Sequence, residues 1–223
     1  MVITIACPAA VVGDIINENN EAAMSEQESK PPVLPVLNER ERQELLQLAR
    51  QAIAATVTNK AAAPETELDL QMQENAAVFV TLWQQEPPYS GSEGARLLRG
   101  CIGRLHPDLP LNLAVKNAAI SAATRDPRFS PVQPDEVEGL IIEIAILSPL
   151  EEVDTLEDVV IGRDGLVIEA MNRRGLLLPK VATRLKWGRD DLLRNVCVKA
   201  GLPEDTWPGN GKLYKFSTTV FHD

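Results

Sequence analysis

The stretch LLRGCIGRLHP, residues 97–107, places Cys101 between Gly100 and Gly103, with Arg99 and Arg104 on either side and His106 close behind. A thiol near its reference pKa of about 8.5 is only a few per cent thiolate at neutral pH, so a working nucleophile needs nearby positive charge or a base. Arg99 and Arg104 are the candidate charges. In an extended segment side chains alternate faces, so Arg99 would share a face with Cys101 and Arg104 would not, unless Gly103 marks a bulge. Gly100 and Gly103 would also let a ligand or another backbone come close, and would leave main-chain N–H groups for an anion. The plainer reading is a small apolar residue buried in a strand, where unpaired cysteines are usually found.

Glu143 interrupts the apolar run LIIEIAILSPL, residues 140–150, where a carboxylate must face solvent or find a partner. It reads equally as a general acid or base with its pKa raised by burial, or as the ion-pair partner of an arginine such as Arg99. Asp126, Arg128 and Phe129 form a polar turn that either tethers a loop or binds substrate. His106, just before Pro107, reads as a solvated loop histidine or a general base. Cys197 sits on the apolar stripe of a helix and reads as structural, and Cys7 lies in an N-terminal tail.

Between Met171 and Arg189 stand Arg173, Arg174, Lys180, Arg184, Lys186 and Arg189, with no acidic residue among them. Such runs are usually solvated faces; a phosphorylated small molecule or an acidic partner surface is the functional alternative. With Trp187 the lone interleaved aromatic, nucleic acid is disfavoured.

Composition narrows the chemistry further. Three scattered cysteines and two histidines, His106 and His222, make no disulfide framework, no zinc spacing and no iron–sulfur motif, so no metal and no cofactor is implied. A reducing, cytoplasmic setting fits. The formal charge of −10 disfavours general affinity for nucleic acid or an anionic membrane. The apolar opening MVITIACPAAVVGDII lacks a basic start and contains Pro8, Gly13 and Asp14, so it reads poorly as a signal peptide or membrane span.

These residues need a frame. With 223 residues, 44% of them hydrophobic, the chain can build one core or two small lobes sharing one. Residues 1–37 are expected to be an acidic, disordered tail ending in the linker KPPVLPVL, and the domain to span 38–223. Asn38 with Glu41 resembles a capping box, and Leu45, Leu46, Ala49, Ala52, Ile53 and Val57 make the apolar stripe of a first helix. Strands are expected over 76–83 and 96–105, joined by the surface loop 84–95, and a sheet-packing helix over 111–124. The proline-punctuated stretch 125–139 cannot form a long regular element. A strand at 140–150 follows, covered on both faces. Residues 159–178 read as three short strands turning at Asp164-Gly165 and Arg174-Gly175. A helix from Arg189 to Gly201 and one last strand over 212–221 complete an α+β fold built largely on antiparallel sheet.

Taken together, LLRGCIGRL, LPLNLAVKNAAISAATRDPRF, IEIAILSPL, IGRDGLVIE, RRGLLLPKVA and CVKAGLPEDTW resemble the AMMECR family. This family is also described as the A component of the AmmeMemoRadiSam system, often encoded beside, or fused to, a Memo-type protein and a radical-SAM protein. The resemblance runs from about residue 38 to the end, with the signature LRGCIG intact at Leu98–Gly103 and a DxRF element at Asp126–Phe129. It implies a two-lobed α+β fold with the cysteine near the cleft between the lobes. The larger lobe would hold about 38–150 and 205–223, the smaller about 151–204. No established reaction comes with the resemblance.

Two readings stay open. In the first the chain is an enzyme or modifying component working with Memo-type and radical-SAM partners on an unidentified small molecule. Cys101 would be the nucleophile or transient acceptor, Arg99 or Arg104 would lower its pKa, Glu143 or His106 would handle protons, and Gly100, Gly103, Asp126, Arg128 and Phe129 would bind ligand. In the second it is a non-catalytic adaptor that docks a partner or an anionic ligand through the cleft and the basic stretch 173–189.

Overall fold

The computed structural model describes residues 3–4, 36–59, 73–85 and 96–223. Nearly all of the tail expected over 1–37, with Cys7, and most of the loop expected over 84–95 lie outside the described residues. The described chain falls into two compact units, one holding residues 3–4, 36–147 and 219–223, the other residues 148–218.

The first unit sets two helices on one face of a sheet. Helix α1, Glu39–Val57, starts at the capping box expected from its sequence. Asn38 Oδ1 accepts the Glu41 N–H at 3.0 Å, and Glu41 Oε2 accepts the Asn38 N–H at 2.7 Å, which satisfies two of the donors a helix start leaves open. The sheet runs in the order β1 (Ile3–Thr4), β3 (Arg96–Arg104), β2 (Ala77–Gln85), β4 (Ile141–Leu147) and β9 (Thr218–His222). Alternation along the strands sends Val78, Val80 and Leu82 of β2, Ile102 of β3, and Ile142, Ile144 and Ile146 of β4 into one core with α1 and helix α2, Leu111–Thr124. The alanines of α2 let its axis come close to β2 and β3, and Ala114, Ala118, Ala119 and Ala122 are all buried there. Residues 125–139 carry only a single helical turn at Val137–Gly139, as their prolines dictate.

The second unit is a four-stranded sheet, β5 (Glu151–Glu152), β8 (Lys212–Phe216), β6 (Gly165–Ala170) and β7 (Arg173–Leu177), with helices α3, Pro179–Leu185, and α4, Arg189–Lys199. The expected three-strand meander over 159–178 is corrected to a hairpin. Its turn falls at Met171 and Asn172, both at positive φ (51° and 57°), the pair of left-handed residues that a two-residue hairpin loop demands. Gly175 lies inside β7 instead, since a Cβ there would stand 2.6 Å from the Val196 carbonyl oxygen of α4. Asp164 closes the loop before β6, accepting the Val160 N–H at 2.9 Å. The third strand of the sheet comes from far along the chain, as β8. Helix α3, which opens on Pro179, was not among the expected elements. Cys197 is buried in this unit's core, and burial pushes its thiol up.

Two further boundaries differ from expectation. The apolar run 140–150 is strand only to Leu147, and the run 212–221 is two strands that break at Ser217 and join different sheets. Ser148 and Ser217 hold each other at that break: the Ser148 N–H donates to the Ser217 carbonyl and the Ser217 N–H to Ser148 Oγ, both at 2.9 Å.

Candidate functional site

The pairing of β2 with β3 decides what surrounds Cys101. Thr81 stands opposite Cys101 and Leu82 opposite Gly100, but Trp83 stands opposite Leu98, so the ladder gains one residue at Arg99. The bulge therefore falls at Arg99 and not at Gly103, where the sequence reading would have put it. Both glycines are instead points of close approach within the protein. A Cβ on Gly100 would lie 2.2 Å from the Ala122 carbonyl oxygen of α2, and one on Gly103 would lie 2.3 Å from both the Phe79 ring and the Val78 carbonyl oxygen. Protein fills the space where a ligand was expected to come close.

Arg99 does not serve as a charge for Cys101, nor as the partner of Glu143. Its Nε and Nη2 donate to the two carboxylate oxygens of Glu136 at 2.8 and 2.9 Å, and its Nη1 donates to the Ser130 carbonyl at 2.8 Å. Glu136 also accepts from Gln84 Nε2 and the Gln133 N–H. The Arg99 hydrogen bonds hold its carboxyl at a pKa of about 2 against burial. The bulged arginine thus fastens the 130–136 loop to the sheet. Arg104 pairs with Asp108, four residues on. His106 is exposed on the bend that follows β3.

Asp126 does reach Cys101, through the backbone. Its Oδ2 accepts the Cys101 N–H at 2.8 Å, its Oδ1 accepts the Arg128 N–H at 3.1 Å, and the Arg128 side chain grips both oxygens at 2.9 and 2.6 Å. Burial of this 4% exposed carboxyl raises its pKa, yet the hydrogen bonds from Arg128 and from the Cys101 N–H outweigh it and hold the pKa below the ordinary value. Arg128 in turn lies 5.2 Å over the Phe129 ring. The DxRF element is therefore a clamp that holds the backbone of the cysteine through its N–H.

The thiol itself is 3% exposed, with its Sγ 3.1 Å from Thr81 Oγ1. Thr81 also pairs in register with Glu143 of β4. Directly paired residues point to one face with Cβ atoms about 5 Å apart, so a thiol, a hydroxyl and a carboxylate form one row across three adjacent strands. It lies on the face opposite α1 and α2. Sequence reasoning singled out both ends of the row and missed Thr81, a hydroxyl in the middle of AAVFVTLW, because only the strand register makes it the link. Among the described residues no group of His, Cys, Asp and Glu could hold a metal ion.

The basic stretch is partly spent inside its own unit. Arg173 donates to the Gly201 carbonyl, Arg174 pairs with Glu169, and Arg189 Nε donates to the Val159 carbonyl at 2.6 Å. Lys180, Arg184 and Lys186 are exposed.

These features define an α+β protein of two antiparallel sheets whose signature strand carries a buried, hydrogen-bonded thiol. The AMMECR1 family model matches residues 46–221. A protein of Thermofilum pendens is 39% identical over 185 residues, 79% of this chain and 87% of that one. One from Methanocaldococcus jannaschii is 46% identical over 133 residues, 56% of this chain and 66% of that one. The crystal structure of an uncharacterized protein from Pyrococcus horikoshii superposes with a TM-score of 0.75 at 36% identity, covering 84% of this chain and 93% of that one. The chain belongs to the AMMECR1 family.

Proposed function

We propose that this chain is a thiol-dependent modifying component that uses Cys101 as a nucleophile or transient acceptor. One observation carries the reading: the Cys101 thiol has a hydroxyl 3.1 Å away, on a strand whose next neighbour presents a carboxylate in register. A nucleophilic thiol needs an activating neighbour, and the arginines offered by the sequence are occupied elsewhere, which leaves the row as the source of activation. The scattered cysteines support a reducing, cytoplasmic setting, and the resemblance to the A component of the AmmeMemoRadiSam system supports Memo-type and radical-SAM proteins as partners. No helix among the described residues is long and apolar enough to cross a membrane.

Native alkylation with iodoacetamide at pH 7, read peptide by peptide by mass spectrometry, tests the thiol. Cys101 should be modified at least tenfold faster than buried Cys197, and faster than a free thiol that is only about 3% ionised at that pH. Protection of Cys101 until the protein unfolds would overturn the reading.

The second reading is the adaptor, favoured by the packing of Gly100 and Gly103, which accounts for part of the signature without any reaction. Under it, Cys101→Ser leaves partner binding intact. Charge reversal at the exposed Lys180 and Arg184 weakens that binding.

A further inference from the structure

We infer that Thr81 is a catalytic residue, the proton carrier between Cys101 and Glu143; this rests on the reading of Cys101 as a nucleophile. Thr81 Oγ1 is 3.1 Å from Cys101 Sγ, and Thr81 is the residue paired with both Cys101 on β3 and Glu143 on β4. A hydroxyl both accepts and donates a proton, so at this position it can take a proton from the thiol and pass its own to the carboxylate. Side chains two strands apart are about 10 Å from each other across the sheet, so Glu143 reaches the thiol through the intermediate strand. As sulfur attacks an electrophilic carbon, the S–H proton passes to Thr81 Oγ1 and the Thr81 O–H proton to Glu143. The new S–C bond forms as the leaving group departs with its electron pair. Glu143 ends protonated, Thr81 is regenerated, and no oxidant or reductant enters.

Asp126 at the Cys101 N–H is paired with Arg128, and Arg99 with Glu136. Proton removal by Glu143 accompanies bond formation, so the rate does not depend on a large standing fraction of thiolate.

The pH profile of Cys101 alkylation by iodoacetamide separates this relay from an ordinary thiol. Wild-type protein should keep its rate within about threefold from pH 8 down to pH 6, whereas a free thiol loses about tenfold per pH unit below about 8.5. Thr81→Val keeps the shape of the side chain and removes the hydroxyl. It should convert the profile to the free-thiol slope and lower the rate at pH 6.5 by at least about tenfold, and Glu143→Gln should do the same. Thr81→Ser should restore the wild-type profile. A wild-type thiol that is inert at every pH sinks the nucleophile reading and the relay with it. A reactive thiol whose profile is unchanged in Thr81→Val, or is lowered equally at every pH, leaves the nucleophile standing and overturns the relay.

Discussion

At the scale of single residues, the ion pairs around the signature strand hold the loop and the strand in place. Arg99 and Glu136 share two hydrogen bonds, and the pair is mostly buried, so neutralising either partner strands the other. The Glu136 carboxyl sits at about 2 in the folded protein against an ordinary value of 4.5. A folded pKa below the unfolded one stabilises the native state above the unfolded value, and that stabilisation drains away as pH falls from about 4.5 to about 2. Glu136→Gln should therefore cost about 2 kcal/mol at pH 7 and lose less than wild type between pH 4.5 and pH 3, measured by urea unfolding at each pH. The slope should shrink without vanishing, because Asp126 and Asp164 are also held below their ordinary values and titrate in the same direction. Equal slopes for variant and wild type would show that the pair is not linked to folding. The partnership was not legible in the sequence: Glu136 lies 37 residues from Arg99 in a stretch without periodicity, and nothing local ties the two.

At the scale of elements, the glycines show why motif reading and structure diverge. LRGCIG invites a ligand because glycine leaves room, but α2 and the Phe79 ring have taken that room. Gly100→Ala would push its Cβ onto a backbone oxygen of α2, which cannot swing aside as a side chain can. A loss of about 3 kcal/mol, or failure to fold, is expected from urea or thermal unfolding. Gly139 is the control. A Cβ there meets nothing within 4 Å, and its φ lies outside the left-handed range, so Gly139→Ala should be neutral or stabilising by up to about 1 kcal/mol. Equal effects of the two substitutions would remove close packing as the explanation. Elements with strong local signals could be read in advance: the capping box and stripe of α1 and the alanine face of α2 stand where periodicity put them, and the β-branched run forms β4 but ends three residues early, at Leu147. The hairpin turn was misplaced because Met171 carries no turn signal, while Gly175, which does, is needed for packing under α4. Thr81 was missed for a related reason, since alternation gives its face but only the register gives its neighbours.

At the scale of the whole molecule, the chain leaves the first unit after Leu147 and returns to it at Thr219, so the last five residues complete a unit begun far earlier. One extended run in the sequence thus serves two sheets, which periodicity alone reads as a single strand. The final residue fastens the return. Asp223 Oδ1 accepts the Ile142 N–H at 2.8 Å, and its Oδ2 accepts from Arg50 Nη2, while Arg50 also donates to the Val137 and Leu140 carbonyls at 2.6 and 2.7 Å. One arginine on α1 therefore joins the helix, the entry to β4 and the end of the chain. Asp223→Ala removes an acceptor from a strand N–H and the counter-charge from Arg50, and should cost about 2 kcal/mol. Because both partners lie in the first unit, hydrogen exchange should quicken over 141–147 and 218–222 and stay unchanged over 165–177. Faster exchange in both units would mean that they unfold as one cooperative block, and no change in either would mean that the Asp223 side chain contributes nothing to the fold.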